Sequence, residues 1–302
     1  MRARVLDGRA LAERYRERIA ARVKGVEARG AKVRLDAVIV GSGDDAAHVY
    51  AANQGKTCQA VGIQYKLHVL ADGAGFDEIA GRVLLLNTQG DVSAIMLHLP
   101  LPESVVAYEV QRLIAPEKDV EGVNPANIGN IVYGRSSLAP CTALAVAKMV
   151  ESTGTPLRGK RVVVVGASDT VGKPIAVLLM RTDASVVSCN KWTWGLEDLC
   201  RSADVLVAAA GVPELIKPDM VKPGAIVVDV GVNRVAGEGG KLRTVGDVSH
   251  EAVARVLGAE GWLSPVPGGV GPMTVTMLLL NVVQASERLV GIAGVGGGWG
   301  ES

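Results

Sequence analysis

The chain alternates short apolar runs with longer amphipathic stretches along nearly its whole length. The densest apolar run is the four valines at residues 162–165, and a β-branched run this short is typical of a strand buried on both faces of a parallel sheet. Gly166 ends the run, and Pro174 stands where a first helical turn tolerates a missing N–H. Similar runs follow at residues 184–189, 203–211 and 225–231. The second half of the chain is therefore predicted to form a parallel sheet flanked by helices.

The first half shows the same alternation of strands and helices. Apolar residues recur at helical spacing between residues 10 and 29, which predicts an amphipathic helix. Strands are predicted at residues 35–40, 65–70 and 94–101, and helices at residues 76–87 and 104–114. A long apolar helix predicted at residues 274–283 is expected to return to this first domain. The predicted fold class is α/β, with a Rossmann-like parallel sheet and a second α/β domain.

Composition excludes several classes of protein. The 302 residues suffice for two domains of ordinary size. The formal net charge of +1 predicts no nucleic-acid or anionic-membrane partner, and no apolar run is long enough to span a bilayer. The four cysteines form no C-x-x-C pair, so neither a metal site nor a disulfide framework is predicted. Because no signal peptide is recognised, the expected compartment is the cytoplasm. The glycine-rich tail at residues 291–300 is expected to be disordered.

The turn after the valine strand is a candidate nucleotide site. A strand, a glycine- and serine-containing turn and a helix N-terminus together direct N–H groups at a phosphate, which makes Gly166, Ala167 and Ser168 the candidate contacts. The spacing differs from G-x-G-x-x-G, and a βα unit without a ligand shows the same pattern. The next strand ends without a carboxylate for the ribose hydroxyls, so Lys191 favours a 2′-phosphate and NADP over NAD, with Thr193 near the adenosine ribose. Lys191 is equally interpretable as a solvated surface lysine.

Four polar residues in the first half are candidates for chemistry. Tyr50 and Gln54 are four positions apart on one predicted helix and therefore share a face. His98 lies near the carboxyl end of a predicted strand, where ligands bind in α/β sheets. Glu121 stands in a loop. Taken singly, these residues are more typical of a half-buried tyrosine beside a solvated glutamine, a core histidine and a loop carboxylate.

The most specific motif is the loop Pro265-Val-Pro-Gly-Gly-Val-Gly-Pro-Met-Thr274. Its prolines make it rigid and its glycines leave positions open to positive φ. In this loop the chain resembles the methylenetetrahydrofolate dehydrogenase/cyclohydrolase family. The resemblance extends over nearly the whole chain and includes Val5-Leu-Asp-Gly8, the Tyr50 helix, Leu99-Pro-Leu101, Lys118-Asp-Val120, Pro140-Cys-Thr142, Gly166-Ala-Ser168, Val171-Gly172, Asp229-Val-Gly231-Val-Asn233 and Gly246-Asp247.

The resemblance implies two activities at one folate site. These are oxidation of 5,10-methylenetetrahydrofolate to 5,10-methenyltetrahydrofolate and hydrolysis of that product to 10-formyltetrahydrofolate. It also implies a homodimer, an NAD(P)-binding domain at residues 147–271, and a folate-binding catalytic domain at residues 1–146 and 272–302. The residues that it places at the substrate or the cofactor are Tyr50, Glu121, Pro267, Gly268 and Gly269 for the folate and Val232 for the dinucleotide.

The chain departs from the family pattern at the catalytic positions. The family has lysine, glutamine and aspartate where this chain has Gln54, His98 and Glu121, and Asn124 replaces a histidine. Glutamine does not titrate and cannot relay a proton as lysine does, whereas hydride transfer depends on orientation. The leading interpretation is therefore an NADP-dependent methylenetetrahydrofolate dehydrogenase with weak or absent cyclohydrolase activity. The alternatives are a bifunctional enzyme in which His98 serves as the base and a catalytically silent folate- or nucleotide-binding protein, against which the intact glycine motifs argue.

Overall fold

The computed structural model describes residues 2–41, 43, 46–135, 138–236 and 242–292, so most of the predicted disordered tail lies outside the described residues. The chain divides into two compact units. The six-stranded unit contains the described residues of 1–13 and 142–274, and the three-stranded unit contains those of 14–141 and 275–292. No described helix is long and apolar enough to cross a membrane.

Strands and helices alternate along both units, which confirms the predicted α/β fold class. The strands are β1 (Arg4–Val5), β2 (Arg34–Val40), β3 (Gln64–Leu70), β4 (Ala94–Leu97), β5 (Arg161–Val165), β6 (Ser185–Cys189), β7 (Val205–Ala208), β8 (Ile226–Asp229), β9 (Asn233–Ala236), β10 (Leu242–Val245) and β11 (Trp262–Leu263). The helices are α1 (Gly8–Glu27), α2 (Ala46–Ala60), α3 (Phe76–Thr88), α4 (Ala107–Gln111), α5 (Pro125–Val132), α6 (Cys141–Glu151), α7 (Gly172–Met180), α8 (Leu196–Arg201), α9 (His250–Leu257) and α10 (Val270–Leu289).

The six-stranded unit is built on a parallel sheet with the strand order β1-β11-β8-β7-β5-β6. The four valines of β5 are at most 3% exposed, as expected for a strand covered on both faces. Strand β1 departs from the predicted domain boundaries, which assigned residues 1–146 to the other domain. The backbone N–H groups of Arg4 and Leu6 donate to the carbonyls of Gly261 and Leu263, and these bonds attach β1 to the edge of this sheet.

The three-stranded unit has the parallel strand order β3-β2-β4, and the end of helix α10 belongs to it. The side-chain amide of Asn281 donates to the carbonyls of Val120 at 2.8 Å and Ala139 at 3.0 Å. One turn and a half further along α10, Glu287 forms an ion pair with Arg22 at 2.6 Å. These contacts confirm the expectation that the last helix completes the first-half domain.

Two elements of the three-stranded unit are shorter than predicted. Strand β4 ends at Leu97 rather than at residue 101, and Pro100 has no N–H with which to continue a ladder. The segment predicted as a helix at residues 104–114 is α-helical only in α4. On either side the chain forms tight turns, in which Val105 donates to the carbonyl of Pro102 and Ile114 to that of Gln111.

Candidate functional site

The turn after β5 brings two backbone segments too close together for a side chain to fit. Gly166 has a φ of 111°, and a Cβ there would lie 2.0 Å from the carbonyl oxygen of Ala209. A Cβ on Gly172, the first residue of α7, would lie 1.9 Å from the carbonyl oxygen of Gly166. The N-terminus of α7 therefore packs directly against the turn, which is the arrangement that binds phosphate groups in nucleotide-binding sheets.

A cavity of about 700 Å³ lies at this turn. Gly166, Ala167, Lys191 and Thr193 are among the residues that line it. The Lys191 ammonium lies 5.1 Å from the ring centroid of Trp192, which also lines the cavity. Among the described residues that line it, the charged ones are Lys173 and Lys191 and none is acidic, which suits a phosphorylated ligand.

Two other predicted cofactor residues, Ser168 and Val232, are described but do not line this cavity. The Ser168 hydroxyl accepts a hydrogen bond from the backbone N–H of Gly172 at 3.3 Å, and the Ser168 carbonyl accepts one from the backbone N–H of Lys173 at 3.0 Å. Ser168 therefore holds the turn against the start of helix α7, whose N-cap residue is Val171. Val232 follows β8 and is 70% exposed. Neither residue is among those lining the cavity.

Tyr50 and His98 lie side by side in the three-stranded unit. Their ring centroids are 6.0 Å apart and the rings meet edge to face at 82°. Tyr50 is 51% exposed, whereas His98, directly after β4, is only 3% exposed. Burial, and secondarily the charge of His48, lowers the pKa of His98 to about 4. His98 is therefore neutral at pH 7.

Glu121 lies next to this pair. One of its carboxylate oxygens, Oε2, accepts a hydrogen bond from the backbone N–H of Leu97 at 3.3 Å. Burial raises the pKa of Glu121 to about 7, against the opposing effect of that hydrogen bond. The carboxylate also raises the pKa of Tyr50 and of Cys141, after the larger effect of burial on each. The structure thus brings three of the four predicted catalytic side chains into one electrostatic cluster.

Gln54 is the fourth predicted catalytic residue, one helical turn after Tyr50 on α2. Its side chain is 3% exposed, and neither its amide nitrogen nor its amide oxygen has a hydrogen-bond partner among the described residues. It is therefore a buried amide rather than the solvated surface glutamine that the sequence pattern would also fit. Burying an amide without a hydrogen-bond partner opposes folding. Because both polar atoms of Gln54 lack a partner among the described residues, they are available to a ligand.

The loop before Glu121 is held by two residues whose roles the sequence does not reveal. The Lys118 ammonium donates to the carbonyls of Asn87 at 2.9 Å and Gln89 at 2.7 Å, at the end of α3. The Asp119 carboxylate accepts from the backbone N–H of Gly122, the backbone N–H of Asn124 and the side chain of Asn127. The Lys118-Asp-Val120 motif is therefore a scaffold that fixes the position of Glu121.

Asn124, at a position where the family resemblance implies a histidine, has a structural role. Its side-chain oxygen accepts from the backbone N–H of Ala126 at 2.8 Å and so caps α5. Its amide nitrogen donates to the carbonyls of Arg112 and Ile114. Both polar atoms of the Asn124 side chain are therefore engaged in hydrogen bonds to the backbone.

The predicted substrate loop at Pro267, Gly268 and Gly269 lies in the six-stranded unit, before α10. Gly268 has a φ of 110°. A Cβ on Gly8 would lie 1.8 Å from the carbonyl oxygen of Gly269, so the first residue of α1 packs directly on this loop. Two motifs that are about 260 residues apart, the Asp7-Gly8 turn and the proline-glycine loop, are thus one packed structure.

These features define a Rossmann-like, dinucleotide-binding α/β protein. They are the order of the sheet, the glycine turn closed by a helix N-terminus and the adjoining cavity. The family model described as "Tetrahydrofolate dehydrogenase/cyclohydrolase, NAD(P)-binding domain" matches residues 140–290. A second, described as "Tetrahydrofolate dehydrogenase/cyclohydrolase, catalytic domain", matches residues 6–121. The chain belongs to the tetrahydrofolate dehydrogenase/cyclohydrolase family, as the sequence motifs predicted, and is thereby an NAD(P)-dependent dehydrogenase.

Relatives of known name agree with this assignment. The "Bifunctional protein FolD" of Polynucleobacter asymbioticus is 43% identical over 288 residues, which cover 95% of this chain and 99% of the relative. Among solved structures, a bifunctional FolD enzyme from Campylobacter jejuni is 36% identical with a TM-score of 0.88, covering 95% of this chain and 99% of that one. The Trypanosoma brucei enzyme, solved with NADP and an inhibitor, is 33% identical with a TM-score of 0.86, covering 95% and 98%.

Proposed function

We propose that this chain oxidises 5,10-methylenetetrahydrofolate to 5,10-methenyltetrahydrofolate with NADP, in one-carbon metabolism, and hydrolyses the product weakly or not at all. Family membership and the cationic cavity beside the glycine turn support the dehydrogenase reaction. The Gly166 turn would hold the dinucleotide phosphates and Lys191 the 2′-phosphate. NADP supplies the hydride acceptor when bound.

The folate would be bound by the cluster of the three-stranded unit. A carboxylate accepts hydrogen bonds from the amino and amide edge of a pterin, which is the role proposed for Glu121. The half-exposed ring of Tyr50 offers a surface for the substrate beside that carboxylate. Pro267, Gly268 and Gly269 are proposed as further substrate contacts on the strength of the family likeness.

The observation that carries the proposal of weak hydrolysis is the buried amide of Gln54. Hydrolysis of a methenyl group requires an activated water and proton transfer through a tetrahedral intermediate. An amide offers hydrogen bonds but no titration near pH 7. Position 54 is 3% exposed and its amide has no partner among the described residues, which supports a role in binding rather than in proton transfer.

Two alternatives have less support. A bifunctional enzyme with His98 as the base requires an imidazole that gains a proton near neutral pH. Burial lowers the pKa of His98 to about 4, so it is a poor base at pH 7. A catalytically silent binding protein has less support because the chain matches both family models of a dehydrogenase/cyclohydrolase and keeps the glycine turn that suits a dinucleotide.

The quaternary structure, compartment and domain division are proposed with the function. We propose a homodimer, on the family likeness, in the cytoplasm. All four cysteines are free thiols, as expected in a reducing compartment. The nucleotide domain is proposed to span residues 147–271, with residues 1–146 and 272–302 forming the catalytic domain, except that β1 joins the nucleotide sheet.

The test is a pair of assays on the unmodified protein. Methylenetetrahydrofolate with NADP should yield methenyltetrahydrofolate, and loss of added methenyltetrahydrofolate should stay close to the rate in buffer. A missing acid–base group lowers a rate by about 10²–10⁴-fold. The triple variant Gln54→Lys, His98→Gln, Glu121→Asp should recover hydrolysis better than Gln54→Lys alone, because neighbouring catalytic groups are not additive.

The exposed position Gln59 on the same helix gives a matched control, since Gln59→Lys adds the same charge away from the cluster. Fast hydrolysis by the unmodified protein, abolished in His98→Ala, would refute the proposal and establish the bifunctional alternative. Absence of methenyl formation with either NADP or NAD would instead favour a silent binding protein.

A further inference from the structure

The side chain of His98 is held by a tyrosine from a different strand. The hydroxyl oxygen of Tyr65 lies 3.0 Å from the Nε2 nitrogen of His98. Tyr65 stands on β3 and His98 follows β4, and these two strands flank β2 on opposite sides. The contact thus spans the full width of the three-stranded sheet.

Helix α2 makes room for this tyrosine. A Cβ on Gly55 would lie 2.9 Å from Cδ1 of the Tyr65 ring, closer than real Cβ contacts come. The glycine directly follows Gln54 on the helix that also carries Tyr50. The packing of α2 therefore fixes the Tyr65 ring and, through its hydroxyl, the orientation of His98.

The direction of the hydrogen bond follows from the chemistry of the two groups. Burial raises the pKa of Tyr65 and lowers that of His98 to about 4, so at pH 7 the phenol keeps its proton and the imidazole is neutral. A neutral imidazole has one nitrogen that donates and one that accepts. The phenol is the more acidic donor and the bare ring nitrogen the better acceptor, so Tyr65 donates to Nε2. The remaining proton of His98 must then be on Nδ1.

We propose that Tyr65 is a positioning residue that holds His98 as its Nδ1–H tautomer, so that His98 presents a neutral hydrogen-bond donor to the substrate. Tyr65 contacts Nε2 and not Nδ1, so the hydrogen bond that fixes the ring leaves the Nδ1–H on the other side of the ring to meet a ligand. The identity of that ligand as a folate rests on the proposed function. His98 then acts as a donor rather than as a base, because Tyr65 already occupies the lone pair of Nε2.

The tautomer can be read by nuclear magnetic resonance with ¹⁵N-labelled histidine, in the full chain and without substrate. In the unmodified protein, Nδ1 of His98 should show the shift of a protonated nitrogen and Nε2 that of an unprotonated one. Tyr65→Phe removes only the hydroxyl and should shift the equilibrium toward the Nε2–H form. Tyr108→Phe, which alters a half-exposed tyrosine on α4, should change neither shift.

A protonated Nε2 in the unmodified protein would overturn the proposal, and so would a Tyr65→Phe variant with unchanged histidine shifts. The measurement on the unmodified protein needs no variant, so it tests the tautomer even if Tyr65→Phe fails to fold. Gly55→Ala provides a second perturbation, since its Cβ should displace the Tyr65 ring and move the His98 shifts in the same direction.

Kinetics test the substrate part of the proposal. Loss of the hydrogen bond that fixes the donor should lower kcat/KM for the folate by about 2- to 12-fold, the range for one neutral hydrogen bond. KM for NADP should not change. A tautomer switch in Tyr65→Phe with unaltered folate kinetics would overturn the donor role. If the unmodified protein shows no folate turnover, the proposed function and the folate clause fail together, while the resonance result still decides whether Tyr65 sets the tautomer.

Discussion

The buried amide of Gln54 predicts a substitution that stabilises the protein while impairing it. Gln54→Met keeps the length and approximate volume of the side chain and removes both polar atoms, and the two residues have similar helix propensities. Burying an amide without hydrogen bonds opposes folding by about 1–3 kcal/mol in protein substitution data. At 3% exposure, with neither amide atom paired among the described residues, Gln54 should carry this penalty. Gln54→Met should therefore raise the free energy of unfolding of the three-stranded unit by about 1–3 kcal/mol.

The chain allows the two units to be followed separately. All five tyrosines, at positions 15, 50, 65, 108 and 133, lie in the three-stranded unit, and the tryptophans within the described residues, Trp192, Trp194 and Trp262, lie in the six-stranded unit. Urea unfolding monitored by tyrosine absorbance should show the shift, while tryptophan fluorescence, recorded with Trp299→Phe as the common background, should not. This separation matters because a protein of two units need not unfold in a single transition.

Gln59→Met, at an exposed position on the same helix, is the matched control and should change stability by less than about 0.5 kcal/mol. Gln54→Met should also weaken folate binding, because the substrate is the proposed partner of the amide. A loss of stability in Gln54→Met would show that the amide is already satisfied within the protein. Increased stability with unchanged folate binding would refute the ligand role and leave the amide without a function.

Three further predictions concern the nucleotide turn and the carboxylate. Lys191→Ala should weaken the binding of NADP by about 10- to 150-fold, the range for a charged hydrogen bond, and should hardly change the binding of NAD. Equal losses of affinity for both nucleotides in fluorescence titrations would show that Lys191 is a surface lysine. Gly172→Ala should lower the free energy of unfolding of the six-stranded unit by more than about 3 kcal/mol in denaturant, because its Cβ would lie 1.9 Å from a backbone oxygen. Gly25→Ala in α1 is the control, since a Cβ there meets nothing within 4 Å, and it should stabilise the protein by about 0.5–1 kcal/mol. Folding raises the pKa of Glu121 from 4.5 to about 7, so ionisation of this carboxyl opposes folding. As the pH rises from about 5 to 8, the free energy of unfolding of the unmodified protein should fall by about 1–3 kcal/mol relative to that of Glu121→Gln. Parallel pH–stability curves of the two proteins would contradict this.

The elements of both sheets were predictable because they carry local signals. The four valines of β5 and the turn at Gly166 lie within a few residues of one another, and hydrophobic periodicity reports such segments directly. Strand β1 carries no such signal. Its two residues are both exposed and pair with Trp262 and Leu263, more than 250 positions away, so only tertiary packing reveals that the N-terminus joins the second-half sheet.

The candidate site was only partly predictable, for the same reason. The shared helical face of Tyr50 and Gln54 was predictable from their spacing, and the place of His98 at the end of a strand was predictable from the apolar run before it. The partner of His98 is Tyr65, 33 residues away on another strand, and neither periodicity nor motif links the two. Lys118 and Asp119 belong to a recognised motif, yet their bonds to backbone groups around residues 87–89 and 122–124 show that they build the loop. A motif identifies residues that matter without distinguishing chemistry from architecture.

The residues at positions 98 and 121 form an electrostatic arrangement without a positive charge, and position 54 holds a neutral amide. Because His98 is neutral, the described cluster of Tyr50, His98 and Glu121 contains no cation, and the raised pKa of Glu121 reflects desolvation without a compensating positive charge. A lysine at position 54, which is 3% exposed, would have to hold its charge against desolvation. A site that binds through neutral donors and one carboxylate suits hydride transfer, which requires orientation and a dry environment, better than hydrolysis, which requires a proton carrier.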